Sequence, residues 1–403
     1  MGIEHRKVTK RVRFTDEKGN ALANRYINVQ QVRHKFLFGC GGFDFIPYVM
    51  EGSDEFKEVT ESWLEIFNYA TLPFYWGNYE PEEGKPNKEI LMKTAEYLVS
   101  KGVKVKGHPL CWHTVCADWL MKYDNDTIME KQLARIDREV TGFAGVIDMW
   151  DVINEVVIMP IFDKYDNAVT RLCKEHGRVK LIKTVFDKAH ESNPNAVLLL
   201  NDFNTSINYE ILIDGCLNAG VPISAIGIQS HQHQGYWGVE KLEQVLERFS
   251  SFGLPIHFTE NTLVSGTLIP EYIEDLNDWQ VEEWPTTPEG EARQAQQLEE
   301  MYRILFAHPL VEAITNWDYR DGAWLGAPSG FIRKDNSRKP SYEMLKSLVK
   351  GEWWTDTTVT TDAEGYAMVD AFKGDYKISC DGLACDVTLD DDSEEVISIN
   401  EQS

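Results

Sequence analysis

The chain has 403 residues, of which 43% are hydrophobic and 11% aromatic, a globular composition that fits one large domain with a smaller addition. A formal net charge of −25 at pH 7 argues against nucleic acid or an anionic membrane as the main partner, because both surfaces would repel the chain. The sequence shows no run of about 18 apolar residues and no apolar signal segment after MGIEHRKVTK. Its seven cysteines form no CxxC pair, which argues against a disulfide framework and against a zinc ribbon.

The N-terminal segment, residues 1–35, is expected to form β-structure. Residues 10–32 place alternating apolar and polar side chains on both sides of Lys18-Gly19-Asn20. This pattern predicts a β-hairpin with its turn at those three residues.

A repeated strand-helix pattern extends from residue 36 to residue 350. Short apolar runs alternate with amphipathic stretches, which is typical of βα units. Strands are predicted at residues 36–39, 69–74, 103–110, 146–155, 196–204, 225–231, 255–260 and 313–319. Eight units over about 310 residues predict a (β/α)₈ TIM barrel. A doubly wound sheet is the alternative, but no GxGxxG follows the first strand.

Two of the intervening helices carry start signals. Residues 87–102 follow Asn87, which is expected at the N-cap. Residues 287–309 begin with Thr287 as the cap and Pro288 in the first turn, the usual place for proline in a helix.

The C-terminal segment departs from the barrel rhythm. Residues 355–390 contain several short alternating runs separated by Asp/Gly turns, which predicts strands. We expect residues 1–35 and 351–403 to pair into one small antiparallel β-module beside the barrel, residues 36–350. Two unrelated decorations are the alternative.

Polar side chains close several of the predicted barrel strands, as in MWDVINEVV (149–157). The active site of a (β/α)₈ barrel lies at the C-terminal ends of its strands, so these side chains are candidates for a common site. They are His108, Trp112, His113, Asn154, Glu155, Asn201, Asp202, Asn204, Gln229, His231, His233, Glu260, Trp317 and Asp318.

Two carboxylates, Glu155 and Glu260, follow strands four and seven of this set. Glycoside hydrolysis needs such a pair, one as proton donor and one as nucleophile or base. Neutral Asn, Gln and His side chains suit sugar hydroxyls, and Trp supplies a flat apolar face. A single Glu at a strand end is more often a solvated rim residue, so the argument rests on the pair.

Histidines at the same strand ends permit a metal interpretation. His108, His231 and His233 are potential zinc ligands. However, the first predicted strand lacks an HxH motif, so carbohydrate chemistry is favoured over a metal-dependent hydrolase.

Six motifs in chain order resemble those of glycoside hydrolase family 10, the retaining β-1,4-xylanases. They are GHPLCWH (107–113), WDVINE (150–155), LNDFN (200–204), IGIQSH (226–231), HFTE (257–260) and NWDYRDGAW (316–324). The resemblance covers roughly residues 36–349 and implies a TIM barrel.

The resemblance also implies roles for individual residues. Glu155 would be the general acid/base and Glu260 the nucleophile, as double displacement requires. The substrate-binding residues would be His108, Trp112, Asn154, Gln229, His231, Trp317 and Trp324. In this scheme Asn154 meets the sugar 2-hydroxyl, and His231, supported by Gln229, holds Glu260.

Strand two departs from the family pattern. Family members carry a Glu-Asn pair and a Lys there, and these groups grip distal sugars. This chain has Leu72, Pro73, Phe74 and Tyr75 before Trp76. Tyr75 and Trp76 are therefore expected to bind substrate by stacking, and a decorated xylan, a short oligomer or a different β-glycoside is expected as substrate. A smaller departure is Asn261-Thr262 after Glu260.

The sequence thus predicts a monomeric retaining hydrolase of xylan or xylo-oligosaccharides that uses neither metal nor organic cofactor. Hydrolysis of another β-glycoside and a non-catalytic carbohydrate-binding barrel are the alternatives. Enzymes of this kind usually act outside the cell, so a secreted or periplasmic location is expected if a signal segment has been removed.

Overall fold

The computed structural model describes residues 2–401 and contains a closed parallel barrel. Its strands, with those of two further sheets, are β1 (Lys7–Thr15), β2 (Tyr26–His34), β3 (Leu37–Gly41), β4 (Tyr69–Pro73), β5 (Lys104–His108), β6 (Met149–Asn154), β7 (Val197–Asp202), β8 (Ala225–Ile228), β9 (Ile256–Asn261), β10 (Val311–Asn316), β11 (Asp356–Thr360), β12 (Tyr366–Phe372), β13 (Gly374–Cys380), β14 (Leu383–Leu389), β15 (Glu395–Ser398) and β16 (Asn400–Glu401). The barrel order is β10-β3-β4-β5-β6-β7-β8-β9. Each predicted barrel strand overlaps an observed one, so the predicted TIM barrel is confirmed.

Helices surround the barrel between successive strands. They are α1 (Phe45–Glu51), α2 (Asp54–Leu64), α3 (Trp76–Tyr79), α4 (Lys88–Ser100), α5 (Asn125–Gly142), α6 (Ala168–His176), α7 (Arg178–Ser192), α8 (Ile207–Asn218), α9 (Gly238–Ser250), α10 (Pro288–Ala307) and α11 (Pro340–Ser347). The Thr287 side chain accepts from the Gly290 N–H at the start of α10, as predicted. Asn87 holds the N-cap position of α4 but donates to the Asn78 carbonyl instead. None of the helices in residues 2–401 has the length and apolar run needed to cross a membrane.

The layer between strands and helices is packed around aromatic side chains. The fully buried Trp150 on β6 lies against Phe74, with ring centroids 4.9 Å apart. Its indole covers Gly107 on β5, where an added Cβ would lie 2.1 Å from the ring. Only glycine permits this contact, so the Gly before His108 is explained by packing.

The terminal segments form two sheets that share one apolar core. One sheet has the order β12-β1-β15 and the other β11-β2-β13-β14-β16. Alternation buries one side of each strand, as in Val8 and Phe14 of β1 or Ile27 and Val29 of β2. Strands from the first 34 residues therefore pair with strands from residues 356–401, which confirms the shared β-module. The pairing of β1 with β15 is parallel.

The predicted hairpin of residues 10–32 is wrong, because β1 and β2 lie in different sheets. The turn at Lys18–Asn20 does form, with Asp16 accepting from the Gly19 and Asn20 N–H groups. Alternating apolar and polar residues predicted a hairpin. The same alternation is compatible with two strands of different sheets that face each other across a core. Their hydrogen-bond partners come from the distant C-terminal strands.

Arg6 joins the β-module to the barrel. Its guanidinium donates to the backbone carbonyls of Phe306 (2.8 Å), His308 (2.6 Å) and Val311 (2.6 Å). It also lies over the Phe36 ring, 4.6 Å from the centroid. These contacts satisfy carbonyls at the C-terminal end of α10 and fix the first strand against the base of β10. All seven cysteines are free thiols.

Candidate active site

Glu155 and Asn154 are presented together where the chain leaves β6. Glu155 has a left-handed backbone conformation, with φ of 57°, which is costly for a residue other than glycine. Its N–H donates to the Asn201 carbonyl at 2.9 Å, which holds the turn. Both side chains consequently accept from the same Gln229 amide.

Three amides connect the two carboxyl groups. Gln229 donates to Glu155 Oε1 (3.0 Å) and to Asn154 Oδ1 (3.1 Å). Asn201 donates to the same Asn154 oxygen (2.9 Å) and to Glu260 Oε1 (2.7 Å). The predicted pair is therefore brought into one buried network at the C-terminal ends of β6, β7, β8 and β9.

Glu155 is set up to hold a proton. Burial raises its pKa to about 8, and the negative charges of Glu260 and Asp202 add to the shift. Hydrogen bonds from Gln229 and from Trp112 Nε1 (2.9 Å) oppose it. At neutral pH the carboxyl is mainly neutral and available as an acid.

Glu260 is set up to hold a charge. Burial alone would raise its pKa, but His108, His231 and Lys106 outweigh it, so the pKa lies below the usual value. His231 Nε2 is 3.0 Å from Glu260 Oε2, and His108 Nδ1 is 3.9 Å from Oε1. The two carboxyl groups thus have oppositely shifted pKa values within one network.

The Asn261-Thr262 departure supports the histidines beside Glu260. The Thr262 hydroxyl lies 3.4 Å from His231 Nδ1 and 3.0 Å from His233 Nδ1. Asn261 contacts the Ser230 hydroxyl and donates to the Thr315 carbonyl at 2.9 Å. The expected support of His231 by Gln229 is replaced by Thr262, because Gln229 bonds to Asn154 and Glu155 instead.

A buried ion pair, which the sequence analysis missed, contacts His108. Asp151 Oδ2 lies 2.7 Å from His108 Nδ1 and 2.7 Å from Lys106 Nζ, and all three side chains are almost fully buried. Lys106 precedes His108 by two residues, so both share the inner face of β5. A lysine in the middle of an apolar strand was the available signal.

The metal interpretation is not favoured by the geometry. Within residues 2–401, the potential ligand atoms of His108, Asp151 and Glu260 lie within 4.8 Å of one another. The Lys106 ammonium already balances Asp151, so this group does not fit a divalent cation. Burial lowers the pKa of His233 to about 3, and this ring bonds to Thr262 instead of joining that group.

Aromatic rings border the carboxyl groups. Trp317 lies edge-on to His108, with centroids 5.3 Å apart, and to His231 at 6.2 Å. Trp324 lies against His231 at 4.5 Å, and Trp112 bonds directly to Glu155. The predicted aromatic residues on this side of the barrel are therefore gathered around the network, as expected of faces for sugar rings.

In the strand-two segment, only part of the apolar stretch reaches the site. Leu72 and Phe74 are fully buried in the barrel–helix core, so their apolar character reflects packing. Trp76 is also buried, beside Trp119 and with its Nε1 bonded to Glu80. Only 6% of Trp76 is exposed, and its stacking on substrate stays a prediction.

Tyr75 does reach the site. Its ring lies 5.7 Å from His108 and 5.7 Å from Trp112, centroid to centroid. Burial and then the charges of Glu260 and Glu155 raise the pKa of its hydroxyl. Tyr75 therefore places an un-ionised phenol beside the carboxyl network.

The arrangement is suited to acid-assisted displacement at an acetal carbon. A neutral carboxyl, an ionised carboxylate and amide groups lie together among aromatic rings, as cleavage of a sugar acetal requires.

Comparison with known proteins gives a consistent result. A model of Glycosyl hydrolase family 10 matches residues 70–347. The "Endo-1,4-beta-xylanase/feruloyl esterase" of Xylanibacter ruminicola is 27% identical over 288 residues, covering 64% of this chain and 39% of that protein. The "Anti-sigma-I factor RsgI6" of Acetivibrio thermocellus is 24% identical over 387 residues, covering 93% of this chain and 45% of that protein. The chain spans less than half the length of these two relatives.

Solved structures share the fold. The crystal structure of xylanase 10B from Thermotoga petrophila in complex with xylobiose superposes with a TM-score of 0.64 at 21% identity. The match covers 79% of this chain and 95% of that one. At this identity the likeness establishes the barrel architecture.

Proposed function

The chain belongs to glycosyl hydrolase family 10, and from that premise we propose that it cleaves β-1,4-xylosidic bonds in xylan or xylo-oligosaccharides with retention of configuration. The observation that carries the proposal is the pair of buried carboxyl groups with opposite pKa shifts, raised for Glu155 and lowered for Glu260. The xylobiose bound to a structural neighbour supports the choice of sugar.

In the first step, the Glu260 carboxylate attacks the anomeric carbon while Glu155 gives its proton to the departing glycosidic oxygen. The bond to the leaving sugar breaks and a covalent glycosyl ester forms at Glu260. Asn201 and His231, which contact the two Glu260 oxygens, orient the attacking carboxylate.

In the second step, water attacks the same carbon and Glu155 takes its proton. Esterification has removed the negative charge of Glu260, which is one of the causes of the raised Glu155 pKa. The pKa of Glu155 therefore falls, and the same residue acts as base. Glu260 leaves as carboxylate, and the product keeps its β configuration.

The test is hydrolysis of xylan by the protein and by its Glu260→Ala variant. We expect short oligomers with β configuration, observed by NMR before mutarotation, and loss of about 10⁴-fold or more in the variant. Circular dichroism controls for folding. Full activity in the variant, or α configuration in the first product, would contradict the assignment.

A non-catalytic carbohydrate-binding barrel is the second candidate. It is favoured by one observation: the relative that spans 93% of this chain is named as an anti-sigma factor. Xylo-oligosaccharide binding measured by calorimetry, together with unchanged substrate after days, would support it over hydrolysis. Cleavage of another β-glycoside, but of no xylan, would instead place the same chemistry on a different sugar.

Three expectations accompany the proposal. The domain boundaries are residues 1–35 and 351–403 for the β-module and 36–350 for the barrel. The reaction needs no metal or organic cofactor, so chelation should leave the rate unchanged. The protein acts as a monomer, which light scattering would test.

A further inference from the structure

An apolar recess lies beside Tyr75 at one end of the site. It occupies about 380 Å³ where the segments after β3 and β4 meet α4, a size typical of small-molecule sites. Its walls are mainly Phe43, Ile46, Met50, Pro73, Tyr75 and Ile90. The polar side chains of the lining are the amides Asn78 and Asn87 and the Tyr79 and Tyr75 phenols.

Two ring contacts connect the recess with the surroundings of Glu260. Phe43 lies edge-on to Trp317, with ring centroids 5.3 Å apart, and Tyr75 lies edge-on to His108 at 5.7 Å. His108 Nδ1 lies 3.9 Å from Glu260 Oε1, and Trp317 lies edge-on to His108 and to His231, the second histidine that contacts Glu260. Tyr75 also lies against Trp112, which bonds to Glu155, whereas Phe43 contacts Trp317, which lies beside the two histidines near Glu260.

The lining does not suit a bare sugar. A pyranose carries hydroxyls around its rim, and each hydroxyl buried without a partner is unfavourable. Carboxylates and ammonium groups, the usual strong partners, are not part of this lining. An aromatic ring, by contrast, can pack edge-to-face on Tyr75 and Phe43, and the few oxygens of an aromatic acyl group can pair with the Asn78 and Asn87 amides of the lining.

We propose that the recess binds an aromatic acyl group, such as a phenolic ester, carried by the sugar chain on the side that becomes attached to Glu260. This inference rests on the proposed function for the position of that chain. It makes the protein selective for aromatically esterified substrate instead of bare xylan, because the lining of the recess offers rings for packing and few polar partners for sugar hydroxyls.

The test compares xylo-oligosaccharides of equal length with and without a feruloyl ester. The expected result is a kcat/KM about tenfold higher for the ester, as one well-packed ring provides. Ile90→Asn should remove most of that preference and leave kcat/KM for the bare oligomer within about twofold. Val99→Asn is the matched control, because Val99 is an exposed apolar residue of the same helix and is expected to change neither value.

Two further measurements separate this inference from the proposed function. If neither oligomer is cleaved, the proposed function fails, and calorimetry still tests the recess by comparing how tightly both oligomers bind. Equal kcat/KM, or equal affinity where nothing is cleaved, would overturn the inference. A preference for an aryl β-xyloside that Ile90→Asn abolishes would also overturn it, because the recess would then hold the leaving group.

Discussion

The C-terminal ends of the barrel strands, here called the mouth, and the core of the β-module bury different kinds of side chain. At the mouth, amides connect two carboxyl groups, and below them the fully buried Lys106 pairs with Asp151. The β-module buries mainly apolar residues, and its buried Lys10 reaches the partly exposed Glu395 at 2.8 Å. Apolar burial stabilises without demanding direction, whereas buried polar groups must be oriented and paired. The comparison indicates that the module contributes stability and the mouth contributes chemistry.

The largest effect is expected from a substitution in the carboxyl network at the mouth that lowers activity and leaves folding intact. Glu155→Gln removes the transferable proton but keeps an amide of similar shape, so kcat/KM for xylan should fall about 10²–10⁴-fold. The melting temperature is expected to stay close to that of the wild type. Glu283→Gln, at an exposed loop position, is the matched control. An equal loss in both variants would show that the effect is not specific to the network.

A cavity created in the core of the β-module should have the opposite result, a loss of stability with unchanged activity. Phe14 is fully buried, and Phe14→Ala should lower the free energy of unfolding by about 3–5 kcal/mol, measured by denaturant unfolding. At about 20 °C the Phe14→Ala protein should remain mainly native. Its kcat/KM at that temperature should equal that of the wild type. Tyr26→Ala, at a residue 74% exposed, should change stability by less than about 0.5 kcal/mol. A fall in kcat/KM with Phe14→Ala would mean that the module acts on the site.

Removing the Arg6 side chain, which joins the β-module to the barrel, should have an intermediate effect on stability. Arg6→Ala leaves three backbone carbonyls without their charged donor, and about 2 kcal/mol of stability should be lost. Thermal unfolding would measure it, with Arg25→Ala as control, because Arg25 is 57% exposed and pairs with Asp381. No difference between the two variants would mean that the module is held by its apolar contacts alone.

The smallest expected effect is the change of kcat/KM with pH. Since Glu155 must be protonated and its pKa is about 8, kcat/KM should fall about tenfold per unit as pH rises above that value. Glu260 must be ionised and its pKa lies below the usual value of a glutamate, so the acid limb should begin at a lower pH than for an ordinary carboxyl group. With Glu155→Gln and an aryl xyloside whose leaving group needs no proton, the alkaline limb should disappear. Its persistence would assign the limb to another group.

The sequence predicted the features that depend on local pattern. Eight apolar runs located the barrel strands, and polar residues at their ends located Glu155, Glu260, Asn154 and His231. The β1–β2 hairpin was wrong, because the choice between a hairpin and two facing strands is made by partners in distant segments.

Other features depended on neighbours that a single sequence does not reveal. The Lys106–Asp151 pair became visible only when β5 and β6 lay side by side. Just after β4, Phe74 packs against Trp150 in the core, whereas Tyr75 lies against His108 and Trp112 at the site. A single sequence does not show which of two adjacent rings enters the core and which reaches the site.

The pairing of the two terminal segments has a consequence for the order in which the protein is made. Thr9 on β1 bonds to Asp370 on β12, 361 residues later, so β1 leaves the ribosome long before its partners exist. Closing so long a loop costs little extra at equilibrium, but it delays the contact until the barrel has been synthesised. During translation, β1 and β2 are unpaired edges open to association with other chains. The barrel is expected to fold first, and the β-module to close over these strands as the last step.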